Sequence, residues 1–445
     1  MIGASEELDV YLSDFAARER NRAAAPPWLS RLRKTAMERF ADLGFPTTRM
    51  EDWRFTSVAP IAKTQFQLAA PAAGVTLNEL LRVPLADLGG PRLVFVNGRF
   101  AEQLSSIESL GESGIGGSLA RAVKAGDPLV SEHLAQHARC ENQAFVALNT
   151  AFLEDGAFLQ ISKGAVVKEP IHIIYAAAGS AHPFAVHPRT LVVAGRDSQA
   201  SIVESYFSLS DGVYFTNAVS EIVAGENAVI EHYKLQHESL RAFHVATLQV
   251  LQERSSSVTS HSISAGGALV RNDINAVLAA EGAECSLNGL YIVSADRHVD
   301  NHTAIDHAKP HCSSRELYKG ILDGRSTAVF NGKIIVRKDA QKTDAKQTNK
   351  NLLLSSEATI NTKPQLEIYA DDVKCTHGAT VGQLGEELIF YLRSRGIGYE
   401  DARTLLTYAF ASDVTARMKA EPIRAKLDEL LLAWLRKGRG CEAVL

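Results

Sequence analysis

The sequence predicts a mainly β protein whose core is a stack of β coils, a β-helix, set between helical N- and C-terminal regions. Three observations lead there. From about residue 145 to about 385, short runs rich in Val, Ile, Leu, Phe and Tyr are punctuated by Gly, Asn, Asp and Ser with almost no helical period. Within this region an apolar residue, a small polar turn and a new strand recur. Their anchors are Val193, Val223, Leu251, Leu278, Leu322 and Leu354, spaced 30, 28, 27, 44 and 32 residues apart. The segments on either side carry helical apolar spacing instead. One such repeat cannot bury its apolar strand alone, so stacking has to supply the core, and the 44-residue spacing reads as a coil carrying an insertion. A β-sandwich is the alternative, because turn signals every ~8 to 12 residues occur there too.

The elements follow in order. Residues 5–20 and 28–43 place Leu8, Leu12 and Phe15, then Leu29, Leu32, Met37 and Phe40, at helical spacing, and Gly44 with Pro46 stops the second helix. In residues 47–56 Trp53 and Phe55 sit among charges, the pattern of an aromatic anchor pinning a loop. Residues 68–90, rich in Ala, Pro and Gly, read as a connector with one short helix at Leu77 to Leu81, followed by a strand and turn at 92–100. The glycine-rich stretch 111–118 lacks a preceding strand and a Lys-Ser/Thr ending, so it reads as a flexible loop, not a phosphate cradle. After Gly385 three helices are expected. The first ends at Gly396, the second carries Leu405, Leu406, Ala409, Phe410 and Val414 on one stripe, and the third, after Pro422, carries Leu427, Leu430, Leu431 and Trp434. The expected units are therefore 1–144, helical with a connector; 145–384, the β-helix; and 385–445, helical.

At 445 residues the chain is long enough for two or three such units, and 46% hydrophobic with 22% charged residues is the composition of a protein that buries a large core. A net charge of −4 supplies no general field for nucleic acid. No apolar run reaches the roughly 18 residues of a membrane span, and the first residues lack a signal-peptide core, so a cytoplasmic protein is expected. Cys140, Cys285, Cys312, Cys375 and Cys441 are scattered without a CxxC pair, which fits free thiols better than a disulfide framework or a zinc ribbon.

Residues able to carry chemistry are few. Between His298 and Cys312 lie His302, Asp306, His307 and His311, ligand types that suit zinc, although the spacing fits no standard finger and Pro310 interrupts it. A polar surface of β coils explains them as well. His133 and His137, four apart on an expected helix, lack a third ligand. Neither a GxSxG elbow nor a GxxxxGK[ST] loop occurs, so nucleotide hydrolysis belongs to a partner. Cys375 and His377, two apart, share a face if the segment is a strand, which sets a soft thiolate beside an imidazole able to hold iron transiently. Buried packing is the plainer reading of that pair. A β-helix carbohydrate-active enzyme would need two acids together on one coil face.

The segment 363–384, KPQLEIYADDVKCTHGATVGQL, with YLRSRGI at 391–397, closely resembles the SufB/SufD family of iron-sulfur cluster assembly subunits, on the SufD side. Residues 328–355 and 145–157 resemble the same family, so the likeness runs from about 145 to about 415, with weaker support at 50–56. The chain reads HGA at 377–379 where the SufB paralogue has HEA, and 350–357 has no cysteine where SufB carries its sulfur acceptor. The resemblance implies a right-handed parallel β-helix and a non-catalytic scaffold. It further implies pairing with a SufB-like subunit through the β-helix and a SufC-like ATPase bound by the C-terminal helices. For the isolated chain, a homodimer standing in for that pairing is left open. His377 then falls on the family's cluster-assembly histidine, with Cys375 a weaker candidate. Any iron-sulfur cluster is transient and shared with the SufB-like subunit, and no cofactor is expected tightly bound to the chain alone. ATPase docking is expected between Tyr391 and Phe410, with Arg393, Arg395 and Gly396 at the helix end and Leu405, Leu406 and Phe410 as apolar anchors.

Overall fold

From Arg189 onward successive strands alternate between two sheets and each pairs in parallel with the strand one coil earlier, so that, with Gly156–Ile161 and Ile171–Ala177 at the start, eight strands of each sheet stack into a solenoid. A computed structural model describes residues 4–21, 25–69, 74–83, 85–179 and 182–436. The mainly β solenoid with helical regions at both ends is the architecture expected from the sequence. Strand alternation fills it. In the strand His298–His307, Val299, Asn301, Thr303 and Ile305 point inward, while His298, Asp300 and His302 point out.

The coil period is regular. Val223 pairs with Leu251, Leu251 with Val277, Val277 with Asp306 and Asp306 with Ile335. No coil carries an insertion between Leu278 and Leu322, contrary to expectation. Leu278 ends a strand of the first sheet and Leu322 a strand of the second, so their spacing is about one and a half coils. The corner after each first-sheet strand from Arg189–Ala194 to Thr327–Val336 holds one residue in the left-handed region: Asp197, Asn227, Ser255, Gly282, His311 and Lys342. These stack, the amide of Asp197 donating to Glu226, that of Asn227 to Arg254, and that of His311 to Gln341.

The N-terminal end of the solenoid is closed. Gly114–Ser118 runs antiparallel to Gly156–Ile161 at one sheet's end, and Arg92–Val96 pairs with Ile171–Ala177 at the other, turning at Asn97 and Gly98 into Arg99–Phe100. Residues 114–118 of the glycine-rich stretch are thus an ordered cap strand, not the flexible loop expected. Gly114 and Gly116 serve close packing, since a Cβ on Gly114 would lie 2.3 Å from the Gln160 carbonyl oxygen. The N-terminal region accordingly supplies strands as well as helices.

Helices Ala4–Asn21 and Pro27–Leu43 bury Tyr11, Met37 and Phe40 against Phe145 and Leu148 of helix Ala144–Ala151 and against Phe152 just past its end. That last helix, not a strand, begins the region after 144. It rests on Phe215, Val245 and Leu269 of the first sheet's outer face. Trp53 anchors the 47–56 segment, its ring 5.5 Å from Phe145 and under the Arg271 guanidinium at 4.3 Å. Helix Pro128–His133 ends before His137, so the two histidines stack across a helix end, not along one turn.

In the C-terminal region, helices Tyr399–Thr415 and Glu421–Arg436 cover the second sheet's outer face, Ala411, Val414, Ile423 and Leu427 packing on Leu235, Ile263, Leu290 and Leu317, and helix Glu386–Ser394 packs against the first of them. Lys319 fixes them by an ion pair to Asp413 at 2.7 Å and a hydrogen bond to the Phe410 carbonyl at 3.0 Å. The expected single stripe splits, because Val414 is buried and Leu406 and Phe410 half-buried, whereas Leu405 and Ala409 are exposed. The Trp434 side chain and Cys441 lie outside the described residues; Cys140, Cys285, Cys312 and Cys375 are unpaired.

Candidate functional site

Among the described residues the C-terminal coil has no cap. Its strands Thr359–Ile368 and Lys374–Gly382 each pair on one side only, and residues buried in every earlier coil are half-buried or exposed here. Ile368, Tyr369 and Val381 stand exposed at this end. A last coil must leave two rows of backbone donors and acceptors and one open apolar cross-section, and that combination favours pairing with another chain.

Cys375 and His377 occupy the final strand and share its inward face, as their spacing implied. Cys375 stacks on Ala345 and packs with Ile334, Val336 and Ala370. Half-buried there, its thiol is pushed up by burial, so at neutral pH it is held protonated and is a poor ligand until a cation displaces the proton. His377 stacks on Gln347 and is exposed because no further coil covers it. Behind it the column continues with Gln347 and Glu316, where Gln347 Nε2 donates to Glu316 Oε2 at 2.7 Å. Glu316 is wholly buried with no cation facing it, and burial pushes its carboxyl up to about 7. Tyr291, Asn349 and Asn351 form a second buried chain that reaches the Thr380 carbonyl of the final strand. Gln347 and Glu316 escaped sequence reading because only the register brings residues 31 and 30 apart into one column.

The helical surface lies nearby in sequence. Phe390 is 73% exposed, with Leu388, Tyr391, Tyr399 and Leu405 also exposed. Arg395 stacks on the Tyr391 ring at 5.1 Å, and Arg393 and Arg403 approach Tyr399. Gly396 takes a positive φ just past the helix. Phe410 turns the other way, its ring under Lys319 at 4.4 Å. Leu388 and Phe390 were absent from the expected anchors. Their signal was a helix, LIFYL, apolar nearly all round and therefore needing a second partner face.

The stretch His298 to Cys312 does not assemble a metal site. His298 and His302 face outward but are tied to Thr56, Thr327 and Asp300, and Asp300 is held far below the usual carboxylate range by Arg271 despite its burial. His307 points inward onto Ser314, His311 is a corner residue and Cys312 is buried at the next strand's start. Among the described residues no group of three or more His, Cys, Asp or Glu could hold a metal ion. Acids on the coil faces meet cations of the adjacent coil, Asp296 with Arg325 and Asp306 with Arg337, which is ladder chemistry and not a glycosidase pair.

Comparison with known proteins decides between these readings. The SufBD core domain of the SUF system for FeS cluster assembly matches residues 175–410, and the SufBD protein N-terminal region matches residues 7–173. The chain belongs to the SufB/SufD family. It is 34% identical to an iron-sulfur cluster assembly SufBD family protein of Synechocystis sp., over 89% of each chain. It is 33% identical to the iron-sulfur cluster assembly protein SufD of Escherichia coli over 86% of this chain and 88% of that one. The SufD of Bacillus subtilis is 25% identical over 95% and 96%. The chain is thus a SufD-like member of the SufB/SufD family with a role in iron-sulfur cluster assembly, and this fits a non-enzymatic subunit of an assembly complex. Among the described residues no helix is long and apolar enough to cross a membrane.

Proposed function

We propose that this chain is a scaffold subunit that pairs, through the open end of its solenoid, with a SufB-like subunit and binds a SufC-like ATPase through its C-terminal helices. The observation that carries the reading is the asymmetry of the solenoid, capped by antiparallel strands at one end and left with two unpaired edges at the end bearing His377. A partner's edge strands would satisfy those backbone groups by β-strand addition. The cluster is cargo. His377, with Cys375 as a weaker candidate, supplies part of its site, and the remaining ligands come from the facing subunit, since two side chains cannot hold a cluster alone. Nascent iron then sits transiently between chains. The ATPase would dock on Leu388, Phe390, Tyr391 and Leu405, with Arg393 and Arg395 as polar rim and Gly396 and Leu406 beside them, while Phe410 ties the helix to the solenoid.

The test is co-expression with a SufB-like and a SufC-like chain. We expect the three to co-purify, and His377→Ala to leave that complex intact while abolishing acid-labile sulfide and iron. A stable lone monomer indifferent to both chains, or full cluster yield from the variant, overturns the scaffold reading or the role of His377 respectively.

A further inference from the structure

The inward column that ends in His377 contains an acceptor with nothing to accept. Gln347 is 2% exposed, and its Oε1 is buried without a hydrogen-bond partner. Its orientation is set from behind. Gln347 donates its Nε2–H to Glu316 Oε2 at 2.7 Å, which leaves Oε1 for some other donor. Space for this amide is built into the opposite wall, where a Cβ on Gly332 would lie 2.3 Å from Gln347 Nε2. The strand register sets Gln347 directly opposite His377, one coil away, and His377 makes no hydrogen bond among the described residues. An unspent buried acceptor and an unspent ring donor are therefore neighbours in one column.

We infer that Gln347 is a positioning residue for His377, its Oε1 accepting one ring N–H so that the other ring nitrogen presents its lone pair outward to iron, with Glu316 locking the amide. This rests on the proposed role of His377 and deepens it. The physical reason is general: an imidazole that binds a metal through one nitrogen is fixed in tautomer and ring orientation by the acceptor at the other. Without the acceptor, His377 at an open end samples rotamers and both tautomers, and each binding event has to select one.

The experiment measures Fe(II) affinity anaerobically on the full chain in complex with its SufB-like and SufC-like partners. His377→Ala defines the contribution of the site. Gln347→Met, of similar size but without the carbonyl, should weaken the His377-dependent affinity about 10- to 100-fold and have no effect in the His377→Ala background. The exchanged pair E316Q/Q347E, which keeps an acceptor opposite His377 and a donor behind it, should restore the affinity to within about threefold. A carboxylate there also makes the ring more basic, so the pH at which Fe(II) binding is half lost should rise by about half a unit or more. If Gln347→Met does not fold, the exchanged pair alone decides by that pH shift. Unchanged affinity in Gln347→Met, an equal loss in the His377→Ala background, or no pH shift in the exchanged pair overturns the inference. Unchanged Fe(II) binding in His377→Ala overturns the site itself, and the two failures are thereby told apart.

Discussion

Glu316 shows how much a single buried group weighs in this fold. Its carboxyl, ordinarily near 4.5, is held at about 7 by burial. Between those values the folded chain keeps a proton that the unfolded chain has released, so this residue lowers stability progressively as pH rises through that window, and the cost is complete above it. At ~1.4 kcal/mol per unit the span is roughly 3 kcal/mol. Buried histidines contribute with the opposite sign. Burial lowers His172 and His187 to about 3 and His261 and His307 to about 4, so they favour the folded state as pH rises toward neutrality. The effect of Glu316 is therefore read as a difference. Glu316→Gln, which retains a hydrogen-bond partner for Gln347, should gain on the parent chain in urea unfolding between pH 5 and pH 8 by about 3 kcal/mol, and a pH-independent difference would contradict the buried-acid account. His377 and Cys375 were legible in the sequence because strand alternation puts residues two apart on one face; Gln347 and Glu316 were not, because their place beside His377 is a property of the stack.

The C-terminal helices have two apolar demands, and the structure assigns them to different faces. Phe410 is tied to the solenoid under Lys319, whereas Phe390 projects with nothing over it. Periodicity placed Leu405 with Leu406 and Phe410, since a stripe some 100° wide does not say which of its rims meets the solenoid. The difference is measurable. Phe390→Asp should weaken binding of the SufC-like ATPase at least tenfold, by seating an unpaired charge in an apolar contact, and change the chain's own stability by no more than about 0.5 kcal/mol. Phe410→Ala should do the reverse, lowering stability by about 2 kcal/mol with little direct effect on binding. Titration of each variant with the ATPase, alongside thermal melting, checks both; the opposite assignment would move the docking surface to the other rim.

A solenoid transmits stability only between neighbouring coils, so the whole molecule should be firm in its middle and weak at an uncapped end. Here the ends differ in kind, with cap strands at residues 92–118 and bare edges at residues 359–382. Hydrogen exchange of the isolated chain should therefore be slowest in the strands Tyr214–Ala224 and Phe243–Gln252 and fastest in Lys374–Gly382. Formation of the complex should protect that last strand specifically. Protection of the capped end in its place would relocate the pairing surface.

The sequence by itself determined the class of fold, its flanking helices and the strand that carries His377, because strand alternation, a coil period near 30 residues and helix-stop signals are local or short-range properties of the chain. It misjudged the long spacing from Leu278 to Leu322, because a corner in one sheet and a corner in the other look alike along the chain. It also read the glycines at 111–118 as freedom, where Gly114 and Gly116 permit the close approach of a cap strand. The tertiary structure alone decided which end is closed, which helix face is free, and which side chains stand behind His377. Each of these depends on what stacks against what across one coil or more, and the sum of those contacts is fixed only when the coils are in register.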